Sequence, residues 1–250
     1  MVIVVAGYFI NPAVERTETD YTSHSLRQNV VRNISEIKEA MKQPVIYRTI
    51  GFFLLGGLLV PTFGDINYYF VLSVVQFSKF TFSMLNIVAY MSLLAGILMY
   101  NRYFKHWEVR HLLRYSFFIG FAGQLMNLVF ILRLNQRWLG IGDVAFTMVT
   151  TAVTDTLVLA FTQLPTLVLF AKITPAHIEA TIFAVLTGVF NFVNTVLSPN
   201  IGVLINKYCV GVTSDHLEKY YVLALISLSL TLTPLVVINW IPNKAQVDAH

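Results

Sequence analysis

The chain has 250 residues, of which 56% are hydrophobic and 12% charged, and its mean hydropathy is +0.66. Soluble domains usually carry about 25% charged residues, so this composition excludes an ordinary soluble domain and indicates an integral membrane protein. The net charge of +4 is too small to indicate nucleic-acid binding, and the single cysteine, Cys209, excludes an intrachain disulfide.

The first ten residues, Met1 to Ile10, are apolar but too short to cross a bilayer. They lack the basic start and the small-residue cleavage site of a signal peptide. We interpret residues 1–10 as the end of a transmembrane helix whose beginning is missing from this chain. The alternative is a hydrophobic start that lies on the membrane surface.

Residues 11–44 form the polar segment of the chain and mix acidic and basic side chains. From Val30 the apolar residues Val30, Ile34, Ile37 and Met41 recur at helical spacing, with charges between them. This pattern predicts an amphipathic helix on the membrane face, ended by Pro44, within a cytoplasmic linker.

Six apolar segments follow, and each is long enough to form a membrane-spanning helix. They cover residues 46–70 (with a break at 61–65), 77–100, 112–132, 144–171, 180–206 and 220–241. We therefore predict an all-α integral membrane fold, a bundle of six helices over residues 45–242, followed by a cytoplasmic tail at 243–250.

The distribution of lysine and arginine predicts the orientation of the bundle. Twelve lie on the side that holds the polar segment, the 101–114 loop and the C-terminus, and four lie on the other side. Because cytoplasmic loops carry the excess of basic residues, we expect the first side to be cytoplasmic.

The sequence lacks the patterns of the common catalytic and metal sites. It has no glycine-rich phosphate loop, no paired histidines at metal-ligand spacing and no clustered cysteines. We therefore expect a protein that is not an enzyme and that needs no metal or cofactor.

The fourth segment carries a carboxylate, Asp155, near its middle. An ionisable residue at membrane depth is costly, so it is a candidate functional residue. Thr147, Thr151 and Thr154 share its face of the helix, and we expect this face to line a cavity. The alternative is a carboxyl group that neighbouring hydroxyl or amide groups satisfy, with no role in transport.

The fifth segment carries a polar stripe, since Thr187, Asn191, Asn194 and Ser198 fall on one helical face. Such a stripe does not stay against hydrocarbon, so we expect it to face the cavity together with the Asp155 face. The same argument gives the candidate cavity residues Asp155, Thr151, Asn191, Asn194, Asn86, Tyr90 and Gln124.

Other polar residues have simpler interpretations. Lys79 lies near the outer end of the second helix, where its side chain can reach the membrane surface or bind an anion. Asp65 and Asp143 are expected at the extracellular mouth, where each could instead cap a helix, and Asp143 suits an N-cap. Gln124 and Asn127 could also serve as hydrogen-bonding contacts between helices.

A polar cytoplasmic segment followed by six spans resembles the C-terminal half of a major facilitator superfamily transporter. The stretch GILMYNRYFKHWEVR at 96–110 resembles a degenerate form of the short basic loop of that superfamily. The resemblance implies two six-helix halves that rock about a central site.

Three stretches are similar to the folate–biopterin transporter family within that superfamily. They run from Pro61 to Ser78, from Gly140 to Phe146 and from Leu164 to Asn191. The matching positions are Pro61, Asp65, Tyr69, Phe70, Asp143, Pro165, Pro175, Glu179 and Thr181. The family often has an acidic residue near the position of Thr150, whereas the carboxylate here is Asp155.

The resemblance implies a transporter for folates or pterins, working by alternating access within a lipid bilayer. The chain would then need a partner, either the missing N-terminal half or a second copy. Two alternatives stay open: a truncated membrane protein that does not transport, or a carrier of this superfamily for another small solute.

Overall fold

The computed structural model describes residues 35–175 and 178–248, apart from the side chains of Asp155 and Asp248. Six stretches are long and apolar enough to cross a membrane. We number them span 1 to span 6: Pro44–Ser73, Lys79–Phe104, Val109–Ile131, Asp143–Ile173, Glu179–Val210 and Tyr220–Trp240. The described residues contain no strand, so the predicted all-α, multi-pass membrane fold is confirmed. The predicted apolar start at 1–10 and most of the linker lie outside the described residues.

Residues 35–41 are helical, and this helix ends before Pro44 and span 1. Ala40 is buried in the core cluster of the bundle, and Ile37 and Met41 pack against the same cluster. The apolar side of this amphipathic helix therefore contacts the bundle itself. Pro44 lies at the start of the next helix, where its missing N–H group would have no intrahelical partner anyway.

Span 1 is broken into two helices, Pro44–Leu59 and Gly64–Ser73, as the Pro61–Asp65 pattern predicts. Spans 5 and 6 supply partners for the irregular backbone between them. The Ser198 hydroxyl donates to the Val60 carbonyl, and the Ser198 backbone carbonyl accepts from the Thr62 N–H at 3.3 Å. Ser227 donates to the Pro61 carbonyl at 3.5 Å. Non-helical backbone at membrane depth is tolerated because protein groups satisfy it.

Spans 4 and 5 each contain a widened, π-helical turn directly before a proline-containing helix. Their pieces are Asp143–Val158, π Leu159–Gln163 and Leu164–Ile173 in span 4, and Glu179–Phe192, π Val193–Leu197, Ser198–Ile205 and π Asn206–Val210 in span 5. Pro165 and Pro199 follow the first π turn of their spans. Proline lacks an N–H and crowds the preceding turn, and a wider turn accommodates it.

The remaining pieces complete the chain. Span 2 consists of Lys79–Met99 and a π turn, Tyr100–Phe104. Span 3 is one helix, Val109–Ile131, followed by the short helix Leu134–Arg137. Span 6 is α-helical over Tyr220–Leu230 and 3₁₀-helical over Thr233–Trp240, and a last helix covers Lys244–Asp248.

Span 4 lies centrally in the packing, against spans 2 and 3, while span 1 packs against spans 5 and 6. Span 2 approaches span 4 closely at Gly96, where an added Cβ would meet the Thr156 carbonyl oxygen at 2.9 Å. Thr156 in turn donates its hydroxyl to the Ser92 carbonyl at 3.3 Å. Small residues thus set the distance between these two helices.

The two ends of the bundle differ in charge and share an aromatic rim. One end, which we call the basic end, carries Arg48, Arg102, Lys105, Arg114 and Lys172. Exposed tyrosine and tryptophan side chains surround both ends: Tyr47, Tyr103, Trp107, Tyr115 and Trp240 at the basic end, and Tyr68, Tyr69, Trp138, Tyr208 and Tyr221 at the opposite end. Such amphipathic rings are enriched where a membrane protein meets the headgroups.

Arg110 ties the start of span 3 to the end of span 6. Its Nε donates to the Ile241 carbonyl at 2.8 Å, and its Nη2 donates to the Ile241 and Asn239 carbonyls. The backbone N–H of Lys244 donates to Glu108 Oε1 at 3.2 Å. A cation therefore meets the negative end of the span 6 helix, as the helix dipole favours.

Candidate functional site

A cavity of about 400 Å³ lies between spans 1, 3, 4 and 6. Small-molecule sites usually have roughly 300–1,000 Å³. Its lining combines the break of span 1 with small and polar residues of the other three spans: Thr62, Phe63, Gly64, Asn67, Gly120, Gly123, Gln124, Asn127, Thr154, Val158, Tyr220, Ala224 and Ser227.

Two further cavities continue this space in both directions. One of about 210 Å³ shares Asn67, Gly123, Asn127 and Thr154 with it and extends towards Phe146, near the opposite end. Another of about 270 Å³ shares Thr62, Gly120 and Val158 and extends towards the basic end. We call these three neighbouring cavities the groove. A fourth cavity, beside span 5, also shares Thr62, Phe63 and Gly64 with the central cavity, is lined by Asp65, and is described separately below.

Helical spacing on spans 3 and 4 explains why the groove is polar. Gly120, Gly123, Gln124 and Asn127 recur at three and four residues, so they share one face of span 3. Thr147, Thr150, Thr151 and Thr154 form the corresponding face of span 4, and all four line the outer part of the groove. The two glycines leave room, and the amides and hydroxyls supply hydrogen-bonding groups.

Three spans meet at one hydrogen-bonded cluster in the groove wall. The Tyr220 hydroxyl of span 6 donates to Asn67 Oδ1 of span 1 at 3.1 Å. The side-chain amide of Asn127 on span 3 also hydrogen-bonds to Tyr220. This Asn67–Tyr220–Asn127 cluster places two side-chain amides at the groove. Each amide has more donors and acceptors than its bond to Tyr220 uses.

The described lining of the groove is polar but uncharged. Among the described side chains that line its three cavities, none is charged. The described residues also contain no group of three or more His, Cys, Asp or Glu side chains that could hold a metal ion. Amides, hydroxyls and the Phe63 ring suit an uncharged solute with hydrogen-bonding edges.

Three of the seven candidate cavity residues line the groove. Gln124 lines its central part and Thr151 its outer part. Asn194 lines the part nearer the basic end, although its amide donates to the Phe190 carbonyl at 2.8 Å.

The structure does not describe the side chain of Asp155. Its backbone lies in the Asp143–Val158 helix, between the groove residue Thr154 and Thr156, which contacts span 2. A role for Asp155 stays a prediction.

Asn86, Tyr90 and Asn191 do not line the groove. They are exposed on spans 2 and 5, and the Tyr90 side chain is 70% exposed. Span 2 uses its Ser92–Gly96 face to pack on span 4, which leaves Asn86 and Tyr90 on the surface. The structure therefore places these candidates on a surface of the bundle and not with Gln124 and Thr151.

The polar stripe of span 5 is divided among several surroundings. Ser198 is buried and holds the break of span 1, whereas Asn191 is exposed. Thr187 and Thr195 donate their hydroxyls to carbonyls of their own helix. This internal bonding lowers the cost of polar groups at membrane depth.

Sequence reasoning missed Asn67, Tyr220 and Ser227 as groove residues. Asn67 follows the break of span 1, and Tyr220 is the first residue of span 6. Because both lie near the ends of apolar segments, the sequence does not indicate that their polar groups face the inside of the bundle. Asn67 offered one signal, a polar amide within a span and just beyond a proline break. Nothing in the sequence pairs it with Tyr220.

The residues that match the family motif lie either at helix breaks and in the core or on the surface of the bundle. Pro61 lies in the break of span 1, Phe70 is in the core, and Pro165 is buried after a π turn. Glu179, Thr181 and Tyr69 are exposed, and Pro175 lies in the turn before span 5.

The expectation that Asp65 lies at a mouth of the bundle stays a prediction. Asp65 is exposed and lies about one turn before Tyr68 and Tyr69 of the opposite end. It is in the first turn of Gly64–Ser73, within span 1, and lines a cavity of about 240 Å³ beside span 5. No side-chain cap hydrogen bond closes this helix, although an acidic residue in a first turn complements the helix dipole.

Asp143 is bound by loop side chains. Its carboxylate accepts hydrogen bonds from Asn135 at 2.9 Å and Gln136 at 2.7 Å, and pairs with Arg133 Nη2 at 2.7 Å. Arg133 itself adopts a left-handed backbone, with φ of 59°. Asp143 therefore stabilises the turn between spans 3 and 4 through one ion pair and two hydrogen bonds.

Curated proteins match this chain over much of its length. It is 26% identical over 212 residues to "Probable folate-biopterin transporter 4" of Arabidopsis thaliana, which covers 82% of the chain and 41% of the relative. It is 30% identical over 179 residues to "Folate-biopterin transporter" of Synechocystis sp. (70% and 35%), and 23% identical over 244 residues to "Folate transporter 1" of Plasmodium falciparum (98% and 46%). The aligned part is thus less than half of each relative.

No solved structure matches the chain. A family model matches residues 3–250, which is nearly the whole sequence. Together with six membrane spans and the curated relatives, this match shows that the chain belongs to the BT1 family of folate–biopterin transporters.

Proposed function

We propose that this chain forms one six-span half of a membrane transporter for folate- or pterin-type solutes. The groove would be part of the solute path, and the protein would carry its solute by alternating access without catalysing a reaction. The three relatives carry folate or folate–biopterin transport in their names.

The observation that carries the proposal is the polar lining of the groove. Asn67, Gln124, Asn127 and Tyr220 come from three different spans and line one cavity. Polar side chains at membrane depth are costly in lipid, so they face other helices or a water-filled cavity. A cavity that only filled space between helices would not need amides from several spans.

A second six-span unit would cover the surfaces that the bundle leaves polar. Asn86 on span 2 and Asn191 on span 5 are exposed at membrane depth, where contact with lipid is unfavourable. The chain also spans less than half of each of the three relatives. We propose that the remaining half of a full-length transporter covers these surfaces, and a second copy of the chain would be the alternative.

Tracer uptake tests the proposal. The chain is expressed in cells without folate or pterin uptake, either alone or with the unmatched part of a curated relative. We expect uptake of labelled folate or biopterin with the added part. Blank uptake of both solutes, with the protein present in the membrane, would contradict the proposal and favour another solute or a protein that does not transport.

A matched pair of variants ties the uptake to the groove. Gln124→Leu removes an amide from the groove, whereas Gln163→Leu removes an exposed amide from span 4. We expect the first to lower uptake at least 10-fold, because lost hydrogen bonds to the solute are costly in a buried site, and the second to leave uptake near its normal level. Equal effects of the two variants on uptake would show that the groove is not part of the solute path.

A further inference from the structure

Folates, one class of the proposed solutes, carry carboxylates. The described side chains that line the groove include no cation that could pair with a carboxylate. A carboxylate that leaves water needs a cation or several donors around it. This difference bears on which part of a solute the groove can hold.

The cations of the described chain lie elsewhere. Arg133 is paired with Asp143 in the turn between spans 3 and 4, and Arg110 is bound to the carbonyls at the end of span 6. Lys79 and Lys207 are exposed at the opposite end, on spans 2 and 5. None of these four residues lines the three cavities of the groove.

The amides of the groove have donors and acceptors side by side. Asn67 already accepts from Tyr220, which leaves its two N–H groups, and Gln124 adds a carbonyl and an amide on the facing span. A planar heterocycle with a ring amide and an amino group presents the complementary pattern along one edge. Phe63, which is only partly buried, adds an aromatic face on which a flat ring can lie.

We infer that the groove of this half selects the uncharged, hydrogen-bonding ring of the solute and excludes its carboxylate, which must be held outside the groove. The inference rests on the proposed function, since it assigns one part of a pterin-type solute to this site. A carboxylate attached directly to the ring cannot leave the groove while the ring stays in it, so such a compound binds poorly.

Two ligands that differ in one group test this. Pterin and pterin-6-carboxylate share the ring, and the second carries one carboxylate. Equilibrium dialysis with the purified full chain in lipid nanodiscs gives the dissociation constant of each. We expect pterin to bind at least 10-fold tighter than pterin-6-carboxylate. Equal binding, or tighter binding of the carboxylate, would overturn the inference and leave the proposed transport of pterins intact.

An added cation should reverse the preference. Gln124→Lys places an amine in the groove, and Gln163→Lys places the same amine on the exposed face of span 4. We expect the first variant to improve binding of pterin-6-carboxylate relative to pterin at least 10-fold, and the second to leave the ratio unchanged. A ratio that is the same in both variants would also overturn the inference.

The remaining outcomes are separable. If Gln124→Lys does not fold, the ratio measured on the unaltered chain decides alone. If the unaltered chain binds neither compound, the inference is overturned, and the uptake of labelled folate and biopterin then decides independently whether the proposed function stands.

Discussion

At the scale of single residues, Gly202 has the clearest physical requirement. It lies on span 5 against the break of span 1, where an added Cβ would overlap the carbonyl group of Thr62. Backbone atoms cannot move aside as the end of a flexible side chain can. The close approach lets Ser198, one turn earlier, reach the Val60 carbonyl, so a glycine here maintains the irregular backbone beside the groove.

Gly202→Ala should therefore destabilise the bundle, by about 1–3 kcal/mol, because the overlap forces spans 1 and 5 apart. Gly188→Ala on the same span is the control, since nothing lies within 4 Å of its Cβ position. Thermal unfolding of the purified variants in one detergent measures both. A midpoint for Gly202→Ala at or above that of Gly188→Ala would contradict the close contact between Gly202 and the Thr62 carbonyl.

At the scale of elements, the ends of the spans are held by side chains that reach across the bundle. Arg110 opens span 3 and donates to the carbonyls that end span 6. Arg114 lies one turn further along span 3 and is half-buried. Arg110 thus stabilises the end of span 6. The number of basic residues in each loop, which predicts orientation, does not reveal this role.

Arg110→Gln should loosen the end of span 6, because charge-assisted hydrogen bonds contribute about 1.5–3 kcal/mol each. Amide hydrogen exchange over residues 236–248 should become at least about 10-fold faster. Arg114→Gln is the matched control, and exchange in the same segment should stay unchanged. Unaltered exchange in Arg110→Gln would show that the tail is held by other contacts.

The spans and the break at Pro61 could be predicted from the sequence because each depends on local composition. Length and hydropathy define a span, and Pro61 interrupts one wherever the helix packs. The groove could be predicted only in part. Polarity identified Gln124, Thr151 and Thr154, but polarity alone does not decide which helix faces which.

Asn191 and Asn67 show why the rest could not be predicted. Both are asparagines within spans, yet Asn191 is exposed and Asn67 binds Tyr220, 153 residues away. That difference depends on the rotation of each helix, which is set by contacts such as Gly202 against Thr62. A single sequence carries no direct signal of such long-range pairs.

At the scale of the whole molecule, the bundle keeps a polar groove inside and leaves polar side chains on two outer spans. Span 2 is exposed along most of its length, with Phe80, Tyr90 and Leu98 each 70% exposed. Asn86 lies on the same span and is also exposed. A surface that mixes large apolar groups with amides suits contact with another protein surface better than contact with lipid alone.

Replacing Asn86 and Asn191 by leucine should stabilise the isolated chain in lipid, because two exposed amides leave the hydrocarbon region. In the assembled transporter the same double variant should lower uptake if another half covers this surface. Val203→Leu, an exposed apolar position on span 5, is the control for both measurements. If the double variant of the isolated chain were less stable than the unaltered chain, Asn86 and Asn191 would not be exposed to lipid as described.

The accessibility of Thr154 tests the account most directly, because Cys209 is the only cysteine of the chain. In a Cys209→Ser background, Thr154→Cys places a thiol in the groove and Val153→Cys places one on the exposed face of span 4. A hydrophilic thiol reagent should label Thr154→Cys, and excess pterin should slow that labelling at least 10-fold, while Val153→Cys should react slowly with and without pterin. Labelling of Thr154→Cys that pterin leaves unchanged would contradict a solute site in the groove.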